Sequence, residues 1–171
     1  MKTKMKLAAL AALVVSAPLL AQEPVEGVDD PESLFTDDDP QLQENKQAAL
    51  RIMRELLQCN YWDQAENWLT ERYIQHNPNV ASGRDGVVAF FSSVTEPSES
   101  CEELETPIVA VLADDDLVTV VWPLYCTHPE TGEQYTSTWF DMWRFVDGRA
   151  DEHWDPAMKT PTGCSPGSPP N

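Results

Sequence analysis

YTSTWFDMWRFVDGRADEHWDP, residues 135–156, is the stretch of sequence that decides the fold. Its first half alternates between two faces, as the side chains of a β-strand do. One face is aromatic and mostly apolar with a single acid in its middle, and it consists of Tyr135, Ser137, Trp139, Asp141, Trp143 and Phe145. Burying a carboxylate in such a face costs several kcal/mol unless the carboxylate is paired or protonated. Asp141 therefore marks a candidate functional position.

The sequence VDGR at residues 146–149 predicts a hairpin turn, and the length of that turn decides which side chains share a face. A two-residue turn would place Asp141 opposite Trp154 and would send His153 to the other side of the sheet. A three-residue loop, with its glycine in the left-handed bulge position, would instead place Asp141 opposite Asp155. His153 would then lie on the same face as both acids.

Charge pairing favours the three-residue loop. In that register Arg144 lies directly opposite Glu152, which makes an oppositely charged cross-strand pair, and Trp143 lies opposite His153. We therefore predict one aromatic-rich surface that gathers Asp141, His153 and Asp155.

The first 21 residues have the features of a secretory signal peptide. Three lysines precede an apolar run at residues 7–20 that is too short to span a membrane, and small residues follow it. No cysteine stands at the expected cleavage point near Ala21, so we expect no lipid anchor. The predicted location is the periplasm or the exterior of the cell, without a membrane anchor.

The mature chain is strongly acidic. Removing the signal peptide with its three lysines leaves 8 basic and 29 acidic residues, a net charge of −21. Nucleic acids and anionic membrane surfaces both require positive charge on their partner, so neither is expected to bind this protein.

Four cysteines in an exported chain predict two disulfide bonds, for which three connectivities are possible. A predicted turn at residues 114–116 would bring residue 104 roughly opposite residue 126. We therefore predict a bond between Cys101 and Cys126. By exclusion, Cys59 would pair with Cys164 and would tie the tail to the first helices.

The remaining chain divides into three parts. Residues 22–38 are acidic and aperiodic and are predicted to form a flexible leader, residues 39–158 form one domain, and residues 159–171 form a Pro/Gly-rich tail. Within the domain, helices are predicted at 39–58, 60–69 and from 83 onward, followed by strands at 106–113, at 117–126 and in the hairpin. Three helices packed on a strongly bent, mainly antiparallel sheet make an α+β fold with a pocket between the layers.

Each candidate site residue also has a purely structural interpretation. His76 could help a turn at Asn77, and Asp141 could be satisfied by backbone amides. His153 and Asp155 could form a polar edge at the mouth of the sheet. The two histidines with one carboxylate could also hold a metal ion, but their spacing matches no metal motif, so we expect no metal and no cofactor.

Two segments together resemble the SnoaL-like polyketide-cyclase branch of the nuclear-transport-factor-2-like superfamily. They are YIQHNPNVASGRDGVVAFF at residues 73–91 and WFDMWRFVDGRADEHWDP at residues 139–156, and the likeness spans about residues 40–158. The resemblance implies a cone-shaped α+β barrel with an apolar pocket, often dimeric through the outer face of its sheet. It also implies that Asp155 is the general acid/base of an intramolecular aldol ring closure. At the position of Asp141 the cyclase proper has a histidine, so the two acids of this chain differ from the family's acid–histidine pair.

We therefore expect an exported protein that binds a small, mostly hydrophobic, neutral molecule and transfers a proton next to a carbonyl group, as an aldol-type cyclase or isomerase does. Asp155 would be the acid/base and Asp141 its partner, while His76 and His153 would orient the substrate. Two carboxylates that face one apolar pocket repel each other, so one of them would keep its proton near the working pH. The expected pocket wall consists of Trp139, Trp143, Trp122, Tyr125, Phe90 and Asn77. A non-enzymatic ligand-binding or dimerisation module remains the alternative, because fold does not determine function.

Overall fold

The computed structural model describes residues 22–159 and the backbone of residues 164–166. Within these residues, six strands form one sheet with the order β1-β5-β4-β3-β2, and β6 pairs with the end of β3. Their bounds are Leu69–Gln75 for β1, Ala110–Asp114 for β2, Leu117–Thr127 for β3, Gln134–Val146 for β4, Arg149–Trp154 for β5 and Cys164–Pro166 for β6. β1 runs parallel to β5, whereas the other pairs are antiparallel. The predicted α+β class with a mainly antiparallel sheet is confirmed.

In the described part of the chain, two α-helices and three shorter helical segments pack around this sheet. The α-helices are α1 at Pro40–Arg51 and α2 at Arg84–Ser92; a π-helix at Ile52–Gln58 continues α1, and 3-10 helices lie at Pro31–Phe35 and Trp62–Asn67. None of the helices within the described ranges is long and apolar enough to cross a membrane. The predicted signal peptide lies outside the described residues.

The first helix begins where the sequence predicts. The Asp39 carboxylate accepts the backbone N–H groups of Gln41 and Leu42 at 2.9 and 3.2 Å, and Pro40 takes the first helical position. Its apolar stripe continues into the π-helix and is buried against the concave face of the sheet, at Ala49, Ile52, Met53 and Leu56.

The second predicted helix takes a different form. The segment after Asn60 is a 3-10 helix, and Asn60 itself has a φ of 60° instead of capping the helix. β1, which follows at Leu69, was not predicted, because its pairing with β5 is a long-range parallel contact that local periodicity does not reveal.

Residues 22–38 pack against the domain, unlike the flexible leader that the sequence predicts. Phe35 is completely buried in the core, and the backbone N–H of Val28 donates to the carbonyl oxygen of Ile108 at 2.8 Å. Phe35 and the partly buried Leu34 attach the segment to the core, and ion pairs of Glu32 with Arg54 and of Asp37 with Lys46 add to this.

The hairpin pairs the residues that the sequence predicts, but a bulge inside the ladder and not the length of the turn sets this register. The structure pairs Trp143 with His153 and Arg144 with Glu152, as expected. The turn itself is a two-residue loop, since Val146 pairs with Arg149 and both Asp147 and Gly148 have positive φ. The prediction of a three-residue loop was therefore wrong.

The extra residue that restores the register is Asp151, which forms a β-bulge inside β5. Its buried carboxylate accepts hydrogen bonds from the Thr70 hydroxyl at 2.7 Å and from the Arg72 guanidinium, both on β1. The Arg72 hydrogen bond holds the pKa of Asp151 below its ordinary value, so the carboxylate is ionised at neutral pH. The bulge is thus stabilised by a polar anchor on the neighbouring strand.

The predicted disulfide pairing is also wrong. Cys59 is bonded to Cys101, because the segment before Ser98 returns to the end of the π-helix, where the Ser98 N–H donates to the Cys59 carbonyl oxygen. Cys126 is disulfide-bonded as well, and the β3–β6 ladder places Cys164 opposite it.

Peptide mapping without reduction should recover two links, Cys59 to Cys101 and Cys126 to Cys164. Replacing both Cys59 and Cys101 by Ser should lower the free energy of unfolding by about 4 kcal/mol, because the bond closes a long loop in the unfolded chain. Urea unfolding of the variant and the parent measures this loss. A link between Cys101 and Cys126 would contradict the structure.

Candidate functional site

A cavity of about 750 Å³ lies between the concave face of the sheet and the helices. Five of the six side chains predicted to form a pocket wall line it, namely Trp122, Trp139, Trp143, Phe90 and Asn77. Tyr125 does not. It is three residues from Trp122 on β3, so alternation places it on the opposite face, where it borders a depression next to the N-terminal segment.

Asp141 is buried on the cavity side of β4 and uses both carboxylate oxygens. The Trp122 indole N–H donates to Oδ2 at 2.7 Å, and Oδ1 lies 3.0 Å from Nε2 of His153. Each oxygen of the buried Asp141 carboxylate therefore has a side-chain hydrogen-bond partner.

The hydrogen-bond partner of Nδ1, the other ring nitrogen of His153, shows where the ring carries a hydrogen. Nδ1 lies 2.7 Å from Oε1 of Gln75, and that oxygen also accepts the backbone N–H of Asn77 at 3.0 Å. The Asn77 contact orients the Gln75 amide, so Nδ1 of His153 must carry a hydrogen. Nε2 faces the Asp141 carboxylate, and the two groups share one hydrogen bond.

Asp155 differs from Asp141 in its surroundings. Its side chain is only 4% exposed. Oδ2 accepts the Asn77 side-chain N–H at 2.7 Å, and Oδ1 accepts the backbone N–H of Ala157 at 2.9 Å. Nδ1 of His153 is 4.0 Å from Oδ2, beyond hydrogen-bond distance. Among the residues that the structure describes, no Lys or Arg forms an ion pair with Asp155, so this carboxylate keeps acceptor capacity next to the cavity.

His76 does not reach the cavity, contrary to the sequence-based expectation. It follows Gln75 on β1, so its side chain turns to the outer face of the sheet, where it is 43% exposed. There Nε2 contacts Glu152 at 2.8 Å, and the ring stacks on Trp154 with centroids 5.1 Å apart. The hydrogen bonds from His76 and Arg144 hold the pKa of Glu152 below its ordinary value. His76 therefore belongs to a surface cluster.

Tyr73 on β1 is a cavity residue that the sequence did not reveal, as is Gln75 on the same face of that strand. Tyr73 is buried, its ring lies parallel to that of His153, and its hydroxyl oxygen accepts the Trp143 indole N–H at 3.1 Å. Burial raises the pKa of Tyr73 well above its ordinary value, and the nearby acids Asp141 and Asp155 raise it further, so the phenol stays neutral. The alternation of Tyr73 with Gln75 could have revealed it, had β1 been recognised as a strand.

Three groups in this cavity have the side-chain types and spacing of a cation site. Ligand atoms of Asp141, His153 and Asp155 all lie within 4.8 Å of one another. A cation held by all three would have to replace the hydrogen bond between Asp141 and His153, so the arrangement suits a shared proton at least as well as a metal ion.

Comparison with known proteins gives a consistent result. The sequence signature of the SnoaL-like domain matches residues 44–153. No curated protein sequence matches the chain significantly. Among solved structures, a candidate SnoaL-like polyketide cyclase from Jannaschia sp. CCS1 is 19% identical, covers 71% of this chain and 91% of its own, and superposes with a TM-score of 0.50.

Two other solved structures are similar to the same extent. A candidate polyketide cyclase from Acidithiobacillus ferrooxidans is 20% identical with a TM-score of 0.49, covering 66% of this chain and 86% of its own. An NTF2-like protein of unknown function from Burkholderia pseudomallei is 20% identical with a TM-score of 0.48, covering 67% and 91%. At these identities the likeness concerns the fold alone.

Replacing Asp141 by Ala should destabilise the protein strongly, because it removes the buried acceptor of both Trp122 and His153. We expect the free energy of unfolding to fall by about 3 kcal/mol in urea titrations at pH 7. Asp116→Ala serves as the control, since it breaks an ion pair with Arg144 that is partly exposed, and should cost less than about 1 kcal/mol. Equal losses in the two variants would show that Asp141 is not the anchor described here.

Proposed function

The chain belongs to the SnoaL-like domain family, and from that premise we propose that its cavity binds a small, largely apolar, neutral molecule and that Asp155 moves a proton at a carbon next to a carbonyl group of that molecule.

One observation carries this proposal, the setting of the Asp155 carboxylate. It is buried at the wall of an apolar cavity, and among the residues that the structure describes its hydrogen-bond donors are the Asn77 amide and the Ala157 backbone N–H, both neutral. A buried acid that serves stability alone is expected to be paired with a cation or fully hydrogen-bonded. A weakly solvated carboxylate with free acceptor capacity is, in contrast, suited to accept a proton from a bound molecule.

The walls of the cavity support the choice of ligand. Its volume of about 750 Å³ lies within the range of small-molecule pockets, roughly 300–1,000 Å³. Trp62 stacks on Phe91 with ring centroids 4.2 Å apart, and both line the cavity together with Trp139. Flat apolar walls suit a planar, aromatic or polycyclic body. The acids at the polar end disfavour an anion.

The two acids have different parts in this proposal. Asp141 is occupied by Trp122 and His153, so it acts as a positioning residue that holds the imidazole in place. His153 lies next to Asp155 with its Nδ1–H directed at Gln75, and this fixes the polar end of the cavity. Asp155 alone is left to take a proton from the ligand and to return it. His76 has no part in this chemistry, since it lies on the other face.

A binding module that performs no chemistry would use the same cavity, and it remains the alternative function. It requires the same apolar walls but gives Asp155 no catalytic role, so substitution of Asp155 distinguishes the two.

Exchange of the α-hydrogens of 2-tetralone, a neutral bicyclic ketone, provides a direct assay of proton abstraction. In D2O the wild-type protein should accelerate this exchange, followed by ¹H NMR. Asp155→Asn should slow it by about 10²–10⁴-fold, the usual contribution of a general base, while the affinity for 2-tetralone changes little.

Glu152→Gln is the matched control, because it removes one carboxylate from the outer face of β5, three residues before Asp155. Its exchange rate should equal that of the wild type. Full exchange by Asp155→Asn would contradict the role of Asp155. Binding of 2-tetralone without exchange in the wild type would favour the binding module.

We propose in addition that the protein is exported and dimeric. Disulfide-bonded cysteines are typical of oxidising compartments, which supports the predicted signal peptide. The outer face of the sheet exposes apolar side chains, among them Phe140 at 46% on β4 and Leu112 on β2. A two-fold contact through this face would cover them, and such dimers are the commonest closed assemblies.

Light scattering at micromolar concentration should therefore give the mass of a dimer. Phe140→Lys should convert it to a monomer, because a charge would be buried at the contact. Val94→Lys is the control, since Val94 is also exposed (64%) but follows α2, away from the outer face. A monomeric wild-type protein would rule the dimer out.

A further inference from the structure

We propose that the Tyr73 hydroxyl donates its hydrogen to the carbonyl oxygen of the bound molecule, so that the site takes ligands with one acceptor oxygen attached to an apolar, planar body. This inference rests on the proposed function and names the group that the ligand must carry.

The hydrogen-bonding of Tyr73 is the first argument. The Trp143 indole N–H donates to the hydroxyl oxygen at 3.1 Å and occupies one of its lone pairs. A phenol has one hydrogen to donate, and among the described residues the Tyr73 hydroxyl makes no hydrogen bond besides the one that it accepts from Trp143. Burying a donor without an acceptor destabilises the protein. An oxygen of a bound molecule would supply the missing acceptor. Trp143, by occupying the oxygen, directs the hydrogen away from itself.

The position of Tyr73 is the second argument. Tyr73 lines the same cavity as Asp155, and its ring lies parallel to that of His153 at 6.3 Å. Burial raises the pKa of Tyr73 well above its ordinary value, so the phenol carries its hydrogen at neutral pH. Donor and base thus face one cavity, and both are held by side chains or backbone groups that do not depend on a ligand.

Together the two groups fit one proton transfer. Asp155 takes a hydrogen from the carbon beside the carbonyl, the C–H electron pair forms a C=C bond, and the carbonyl π electrons move to the oxygen. The negative charge that develops on that oxygen is stabilised by the Tyr73 O–H, whose hydrogen bond strengthens as the charge grows. Return of the proton from Asp155 to a carbon restores the ketone, either at the original position or at a conjugated one, so no other reactant is consumed.

Three bicyclic probes test this assignment by differing only at the oxygen. They are 2-tetralone, 2-naphthol as an analogue of its enol, and naphthalene, which has no oxygen. Tyr73→Phe should weaken the binding of 2-naphthol by roughly 5- to 10-fold, the value of one neutral hydrogen bond, and should leave naphthalene binding unchanged. It should also slow α-hydrogen exchange of 2-tetralone by about 10²–10³-fold. Tyr125→Phe, which alters a tyrosine on the outer face, should change none of these values.

A second measurement needs no variant and holds even if Tyr73→Phe folds poorly. The ¹³C resonance of the carbonyl carbon in labelled 2-tetralone should stay at, or move downfield of, its position in water when bound to the wild-type protein. A carbonyl without a donor in this apolar cavity would move upfield, toward its position in hexane. In Tyr73→Phe that upfield shift is the expected result.

The outcomes separate the two proposals. If the wild-type protein neither binds 2-tetralone nor exchanges its hydrogens, the proposed function fails and this inference fails with it. If the wild type exchanges the hydrogens but Tyr73→Phe does so at the same rate, or if the bound carbonyl resonance moves upfield in the wild type, only the role of Tyr73 is overturned.

Discussion

The bulge at Asp151 is the constraint on which the site depends. A one-residue slip in an antiparallel pair moves every side chain to the other face of the sheet. With the two-residue turn at Asp147-Gly148 and no bulge, His153 would lie on the outer face and Asp141 would be buried without its imidazole. The extra residue restores the pairing of Trp143 with His153. Its carboxylate is held by Thr70 and Arg72, so β1 both anchors the bulge and contributes the cavity side chains Tyr73 and Gln75.

The two acids on this face have different surroundings. Asp141 is hydrogen-bonded to the Trp122 indole and the His153 imidazole, and these contacts hold the cavity wall together. Asp155 is bound by an amide and a backbone N–H and keeps capacity for a further hydrogen. Oxygen atoms of the two carboxylates lie within 4.8 Å of each other, so each acid is part of the other's surroundings.

Much of the fold and part of the site could be predicted from the sequence, and the errors have physical causes. Period-two alternation and charge pairing were sufficient to place His153 on the face of Asp141. The same alternation, applied to Tyr125, would have excluded it from the pocket. His76 and Tyr73 could not be assigned to a face, because β1 pairs with a strand about eighty residues away and has no local turn to identify it. The disulfide pairing failed because loop paths such as that of residues 93–101 leave no periodic signal.

We propose that the cavity is a binding site whose polar end is formed by Tyr73 and Asp155. A crystal structure of the protein with 2-naphthol tests it most directly. We predict the naphthalene ring inside the cavity, with its oxygen about 2.7 Å from the Tyr73 hydroxyl oxygen and the adjacent ring carbon about 3.5 Å from an Asp155 carboxylate oxygen. A cavity closed by Trp122 and Trp139, or a ligand bound elsewhere on the protein, would contradict the account.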